Sequence, residues 1–492
     1  MSQQSSQGLR RGAIGRREVL FQSIAAMAPG AAIAASVPAG AAYAGGALSL
    51  SVLIALVACL LAASSIAELA RHLPAAGGVA TYTSRGLHPT VGFLVAWAYV
   101  FVEALVPTLL FLQLGFTTAG TLHQQWPGYP ESLWWPWALL GALIIAAAGF
   151  YGAKVSASLG TVLGAFEVVV FVVLGVLLVT QAGGANTISV FGTTHTPDAY
   201  PGVAGVIAGS VFSVLAFSGF EAAAPLAEEA KDPRRTIRFA VLGSTLGIGL
   251  IYVFTTYAAA VFVGPERFSE FSGTGALSWE GIARSSFGLF WLLIFFAVVN
   301  SAIANANAGA NVSTRTAYAL ARIGIFPRSL TRVHPVHRSP VTAIAVQLAI
   351  AVLVTLAVGL GFGPVTAFGL VATIIVLVVV SVYILVNAAC VGFFARRADR
   401  NVFLHVVVPV LGVLAFIPAL LTAAGIPAFS FISPLEPPNS YAGPVVGVWM
   451  LLGAGYLAHL WTNHRQRVVD TGLVHLDEPA PDEASTEAEA RR

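Results

Sequence analysis

The sequence predicts an all-α integral membrane protein with about twelve transmembrane helices, and three observations carry that prediction. First, 57% of the 492 residues are hydrophobic and only 10% are charged, with a mean hydropathy of +0.82; a soluble domain carries about a quarter charged residues. Second, apolar stretches of roughly 20 residues, enough to cross the hydrocarbon core, recur about twelve times. Third, with the N-terminus placed in the cytoplasm, 23 of the 25 Lys and Arg residues fall on one side, and only Arg267 and Arg284 lie outside. That is the positive-inside pattern, and it implies an even number of spans with both ends cytoplasmic. The net charge of +3 is too small to argue for a nucleic-acid partner.

Taken in order, the expected span cores are 19–43, 47–70, 90–119, 134–152, 157–181, 203–226, 237–263, 287–312, 340–360, 364–390, 402–424 and 443–463. Residues 1–17 read as a cytoplasmic tail, 18–464 as one membrane domain, and 465–492 as a disordered tail that is acidic from Asp477 to Glu489. The first span is too long for a cleavable signal and leads into the second across only Ala44-Gly45-Gly46. Cys59 and Cys390 both lie within spans, which argues against a disulfide framework or a metal cluster, and no cofactor is implied. The outer loops, 120–133, 182–202, 264–286 and 425–442, are poor in positive charge. Inner loops are short and Arg-rich, and Ile325 to Leu330 has the composition of a short amphipathic helix at the inner surface.

Two spans are broken in the middle. The first reads Ile24-Ala25-Ala26-Met27-Ala28-Pro29-Gly30-Ala31-Ala32-Ile33, and the sixth reads Val214-Leu215-Ala216-Phe217-Ser218-Gly219-Phe220-Glu221. Pro29 has no N–H to donate, and Gly30 and Gly219 lack the Cβ that favours helix. An unpaired peptide group in hydrocarbon costs several kcal/mol, so unwound backbone survives there only beside a cavity or a bound polar solute. Ordinary kinks are the simpler alternative. If spans 1–5 and 6–10 form two units, an odd number of crossings inverts the second relative to the first, and the two breaks meet near the midplane.

The residues that could carry chemistry are few. Signatures of a phosphate loop, a zinc protease, a nucleophile elbow or a dinucleotide site are absent. Glu103, Glu167 and Glu221 lie in spans 3, 5 and 6, and no Lys or Arg lies mid-span to pair with them. Each such charge costs at least ~2.5 kcal/mol on insertion scales, so each needs a partner, water or a proton. In span 8, Asn300, Asn307 and Asn311 share one helix face, which points to the bundle interior, a water-filled path or simple interhelical hydrogen bonding. The run Glu228, Glu229, Lys231, Asp232, Arg234 and Arg235 reads mainly as a solvated inner loop.

Four pieces together resemble the amino acid–polyamine–organocation (APC) superfamily of secondary transporters over about residues 15–400. They are the broken first span; Ala67-Glu68-Leu69-Ala70-Arg71-His72-Leu73-Pro74-Ala75-Ala76-Gly77-Gly78 with Tyr82; Gly219-Phe220-Glu221 followed by Glu228-Glu229 and Asp232-Pro233-Arg234-Arg235; and Arg315 to Arg322 with Phe326-Pro327 and Ser339-Pro340. The resemblance implies a LeuT-type fold: repeats over about 18–181 and 203–395 plus two helices over about 402–464. It also implies that Met27, Ala28, Pro29, Gly30, Ala31 and Ala32 face Leu215, Phe217, Ser218, Gly219, Phe220 and Glu221 around a substrate. A half-helix N-terminus would take a carboxylate and free carbonyls an ammonium. Phe217 or Phe220 would offer a ring face to that ammonium.

Two departures bear on this. Relatives commonly read Gly-small-Gly where this chain has Pro29-Gly30-Ala31, and some proton-coupled members carry Lys where Glu167 aligns. Coupling and gating are expected at Glu103, Glu167, Asn300 and Asn307. The expected function is secondary transport of an amino acid or related amine in the plasma or inner membrane, as symport or antiport, with a proton as the candidate coupling ion. Self-association is left open. A polyamine or ethanolamine-like substrate is the first alternative and a non-transporting sensor the second; an enzyme is not expected.

Overall fold

The computed structural model describes residues 15–73, 78–151, 157–228, 230–334 and 339–471. Most of the N-terminal tail, residues 74–77, Glu229 and the acidic tail lie outside the described residues, as do the expectations made for them. Among the described residues all regular structure is helical, and eleven segments are long and apolar enough to cross a membrane. The first, Arg16–His72, holds 57 residues. A straight helix of that length would run about 85 Å, nearly three hydrocarbon thicknesses. Gly45 turns the chain instead, at φ +52, and a Cβ there would stand 2.5 Å from the His195 carbonyl oxygen. Gly46 N–H donates to that same carbonyl at 2.9 Å. The segment is therefore two crossings, and the described residues make twelve.

The remaining spans are 3 (Pro89–Gln125), 4 (Trp135–Tyr151), 5 (Ala157–Ala182), 6 (Val203–Phe217, continued by Phe220–Glu228), 7 (Pro233–Val263), 8 (Phe290–Arg322), 9 (Val341–Phe362), 10 (Pro364–Phe394), 11 (Val408–Ala424) and 12 (Ala442–Asn463). Burial sorts them into layers. The apolar windows of spans 6 and 10 are 78% and 83% buried within the protein, against 11% for span 12, so the former form the centre and the latter lies at the periphery.

Just before span 3 a short helix, Gly78–Gly86, buries Val79, Thr81, Tyr82 and Thr83 in what reads from sequence as plain loop. The expected amphipathic helix after Ile325 is a single 3-10 turn, Arg328–Thr331, begun by Pro327. The tail expected to be disordered from 465 starts as a helix, Arg465–Thr471. Its order has a physical cause: Val468 and Thr471 are buried, and Arg467 Nη1 donates to the Gly324 carbonyl at 3.1 Å.

Between spans 7 and 8 lie a 3-10 turn, Pro265–Glu270, and a helix, Trp279–Phe287, whose N-cap Ser278 accepts from Gly281 N–H at 3.1 Å. Trp279 packs on Phe171 and Phe271 and donates Nε1–H to the Ile33 carbonyl at 2.8 Å. The two arginines between spans 7 and 8 are both engaged: Arg284 donates to the Gln124 carbonyl at the end of span 3, and Arg267 pairs with Glu270 at 3.1 Å.

Glu280, beside Trp279, is buried, and its Oε1 has no hydrogen-bond partner among the described residues. Burial pushes its carboxyl up to about 7, partly offset by its own N–H and the Ser278 hydroxyl. A raised carboxyl favours folding when protonated, so stability falls as pH rises from the unfolded value near 4.5 through 7. Glu280→Gln is therefore expected to melt higher than wild type at pH 8, by an amount on the order of 3 kcal/mol, and to match it near pH 4.5. Thermal unfolding at both pH values measures this; equal shifts at both would mean that Glu280 is charged and solvated.

Candidate functional site

The first break is built from backbone strain and missing donors. The helix Arg16–Met27 ends at Ala28, which is left-handed at φ 44, ψ 67, a conformation costing a residue with Cβ about 1–2 kcal/mol. Pro29 then opens the next helical stretch, where its missing N–H is not needed, and a π-helical turn follows over Ala32–Ser36. The second break starts at Ser218 and passes through Gly219 at φ +112 into the 3-10 stretch Phe220–Glu228. A Cβ on Gly219 would sit 2.5 Å from the Ala26 carbonyl oxygen, so the two breaks touch backbone to backbone. Ser23 Oγ donates to the Phe220 carbonyl at 3.2 Å and ties them again.

Around the breaks the loose polar groups find partners on distant spans. Tyr252 OH donates to the Met27 carbonyl at 3.3 Å, and Gln113 Nε2 to the Ala31 carbonyl at 2.9 Å. Gly30 N–H donates to Glu167 Oε2 at 3.3 Å, and Asn300 Nδ2 donates to Glu167 Oε1 at 2.5 Å. Spans 1, 5 and 8 thus meet at one carboxyl. Glu221 is held from three directions: Tyr99 OH on Oε1 at 2.5 Å, Tyr383 OH on Oε2 at 2.9 Å, and Gly219 N–H on Oε2 at 3.1 Å. Glu103, one turn from Tyr99 on span 3, is an electrostatic neighbour of Glu221.

The twelve residues expected around a substrate therefore lie on two segments in mutual contact. Met27, Ala28, Pro29, Gly30, Ala31, Ala32, Leu215, Phe217, Phe220 and Glu221 are buried, and Ser218 and Gly219 are half-buried. Phe217 packs edge-on to Tyr252 and Phe220 tilts against Tyr383, so both rings form walls shared with other spans. The asparagine stripe divides. Asn300 joins Glu167, whereas Asn307 and Asn311 line a cleft between spans 4, 8 and 9, with Gln347 opposite.

Sequence reasoning missed Tyr99, Tyr252, Tyr383, Gln113 and Gln347. All are single polar residues in apolar spans, and their partners are far away in sequence. The one local signal was Tyr99 standing four residues before Glu103, on the same helical face.

A family model described as "Amino acid permease" matches residues 18–462. The low-affinity putrescine importer PlaP of Escherichia coli (strain K12) is 29% identical over 306 residues, covering 61% of this chain and 65% of that protein. The branched-chain amino acid permease BcaP of Bacillus subtilis (strain 168) is 26% identical over 331 residues, 62% of this chain and 66% of its own. The histidine permease HisP of Lactococcus lactis subsp. cremoris (strain MG1363) is 25% identical over 268 residues, 52% and 54%. Each of these matches spans less than two-thirds of the relative's length. With a family match over nearly its whole length, on a multi-pass all-helical membrane fold, the chain belongs to the amino acid permease family.

Proposed function

We propose that this protein is a secondary transporter that carries an amino acid or related amine across the cell membrane by alternating access. In this reading the substrate sits between the two breaks, repeats 18–181 and 203–395 move against each other, helices 402–464 flank them, and both termini are cytoplasmic. The observation that carries it is Glu221: a buried carboxylate fixed at a backbone break by Tyr99, Tyr383 and the Gly219 N–H, in a bundle with no Lys or Arg mid-span to offset its charge. Hydrogen bonds from neutral donors orient such a group and leave its charge available to a substrate ammonium. The substrates named for the relatives, putrescine, branched-chain amino acids and histidine, share an ammonium and little else.

Glu167 is the group we assign to a coupling proton. It accepts on both oxygens, from Gly30 and from Asn300. A proton on either oxygen adds a donor there and weakens that oxygen as an acceptor, so protonation is tied to how spans 1, 5 and 8 meet.

A diamine is the second reading, favoured by two observations. Glu103 offers a second carboxyl group near Glu221, and the Gly30 N–H, a donor expected to serve a substrate carboxylate, is already engaged by Glu167. A thermal-shift screen of the purified chain separates the readings, because a ligand that prefers the folded state raises its stability. At a hundred times its Kd, a ligand adds about 2.7 kcal/mol. Amino acids are expected to shift the melt under the first reading and diamines under the second; no shift with any amine would overturn both.

A further inference from the structure

Glu68 stands at the inner end of span 2, and its side chain is 4% exposed. Three groups from three spans converge on it: Arg71 on its own helix at 3.8 Å, Arg238 of span 7 at 3.5 Å and His405, at the start of span 11, at 3.4 Å. The two arginines are about half exposed, so those pairs are weak. His405 is different. Its side chain is 5% exposed, and its ring stacks on Phe394 at 3.6 Å. Its Nδ1 accepts from the Asn401 N–H at 3.0 Å, which leaves Nε2–H to donate to Glu68. One turn on, His72 places Nδ1 on the Glu68 carbonyl at 2.9 Å and Nε2 on Asp399 at 3.0 Å, and Asp399 is also paired with Arg397 at 2.9 Å. The inner ends of spans 2, 7 and 11 and the loop after span 10 are thus tied at one place.

That place is connected to Glu221. Tyr383 OH donates to Glu221, Asn387 Nδ2 donates to the Tyr383 carbonyl at 2.9 Å, and Ser65 Oγ donates to Asn387 Oδ1 at 2.6 Å. Ser65 lies one turn before Glu68 on span 2, and Ser65, Asn387 and Tyr383 have no exposed surface. The hydrogen bonds from Ser65 through Asn387 and Tyr383 to Glu221 are buried, and the span 2 helix carries them on to Glu68; packed, hydrogen-bonded groups of this kind are one means by which two sites are coupled.

We infer that Glu68 is the inner latch of the transport cycle, a positioning residue that closes the cytoplasmic ends of spans 2, 7 and 11, and that Tyr383, Asn387 and Ser65 convey the state of Glu221 to it. The inference rests on the transporter reading for its role in a cycle. Its closing contacts can be tested without any substrate.

Cys390, one turn beyond Asn387 on span 10, is fully buried beside this path and serves as a native reporter. The full-length protein carrying Cys59→Ala is exposed to N-ethylmaleimide, and the labelling rate of Cys390 is followed. Glu68→Gln is expected to speed labelling at least tenfold with a monodisperse, helical protein. His405→Gln should fall between it and wild type, and decides the matter should Glu68→Gln fail to fold. Glu221→Gln alone should speed labelling about threefold, and Ser65→Ala should erase that threefold difference. Unchanged labelling in the folded Glu68 and His405 variants would overturn the latch; an undiminished effect of Glu221→Gln in the Ser65→Ala background would overturn the relay. Faster labelling in a protein that moves no amine would overturn the transport reading and leave the latch standing.

Discussion

Gly30→Leu and Gly219→Leu are each expected to abolish uptake in a protein that still inserts and folds. At Gly30 an added Cβ would stand 3.0 Å from the Ala297 carbonyl oxygen, 3.1 Å from Ser301 Cβ and 3.2 Å from Glu167 Oε2, where spans 1, 5 and 8 meet. At Gly219 it would meet the Ala26 carbonyl at 2.5 Å, on a backbone at φ +112 that L residues avoid. Overpacking costs about 1–3 kcal/mol, and a disfavoured φ adds about 1–3 kcal/mol more. Losses of that size leave many folded proteins intact but spread apart two segments that, in the proposed function, close around one small solute. Gly447→Leu is the control, because nothing stands within 4 Å of a Cβ there. Uptake into proteoliposomes, with size-exclusion profiles to report folding, measures the effect. Normal uptake in both variants would remove the case for a site at the breaks.

Glu221→Gln should weaken amine binding by about 10- to 100-fold, the 1.5–3 kcal/mol expected of a hydrogen bond to a charged group. Tyr99→Phe and Tyr383→Phe should each weaken it by up to about tenfold, because they unfasten the carboxylate without removing it. Glu167→Gln should act on turnover more than on affinity. Glutamine presents one acceptor and one donor, so its NH2 must confront either the Gly30 or the Asn300 donor. Uptake and binding measured from about pH 5 to 8 then separate the roles. A pH profile that flattens in Glu167→Gln identifies the proton carrier. Profiles identical to wild type in both glutamine variants would make these carboxyls structural, and coupling would have to be sought in another ion or in exchange.

The spans and both breaks were legible because each rests on a local property. Apolar length marks a crossing, Pro29 removes a donor, and Gly219 permits a backbone angle that other residues resist. The exact hinge was less legible: the left-handed residue is Ala28, immediately before the proline that restarts the helix, and not Gly30. The partners of the carboxyls were not legible at all. Nothing near Tyr383 in sequence says that its hydroxyl will reach Glu221, because that contact depends on how span 10 packs across span 6. The ordered start of the C-terminal tail was hidden for the same reason, since Val468 finds its cover on other helices.

Ala28 has one more consequence, for populations. Glycine would adopt the same left-handed turn without a Cβ penalty, so the alanine raises the energy of this conformation by about 1–2 kcal/mol. At room temperature that corresponds to a factor of roughly 5–30 in an equilibrium constant. Any conformation in which Ala28 relaxes into helix is favoured by that factor over what glycine would allow. A single methyl group thus weights the backbone equilibrium at the break, although the side chain carries no charge and makes no hydrogen bond.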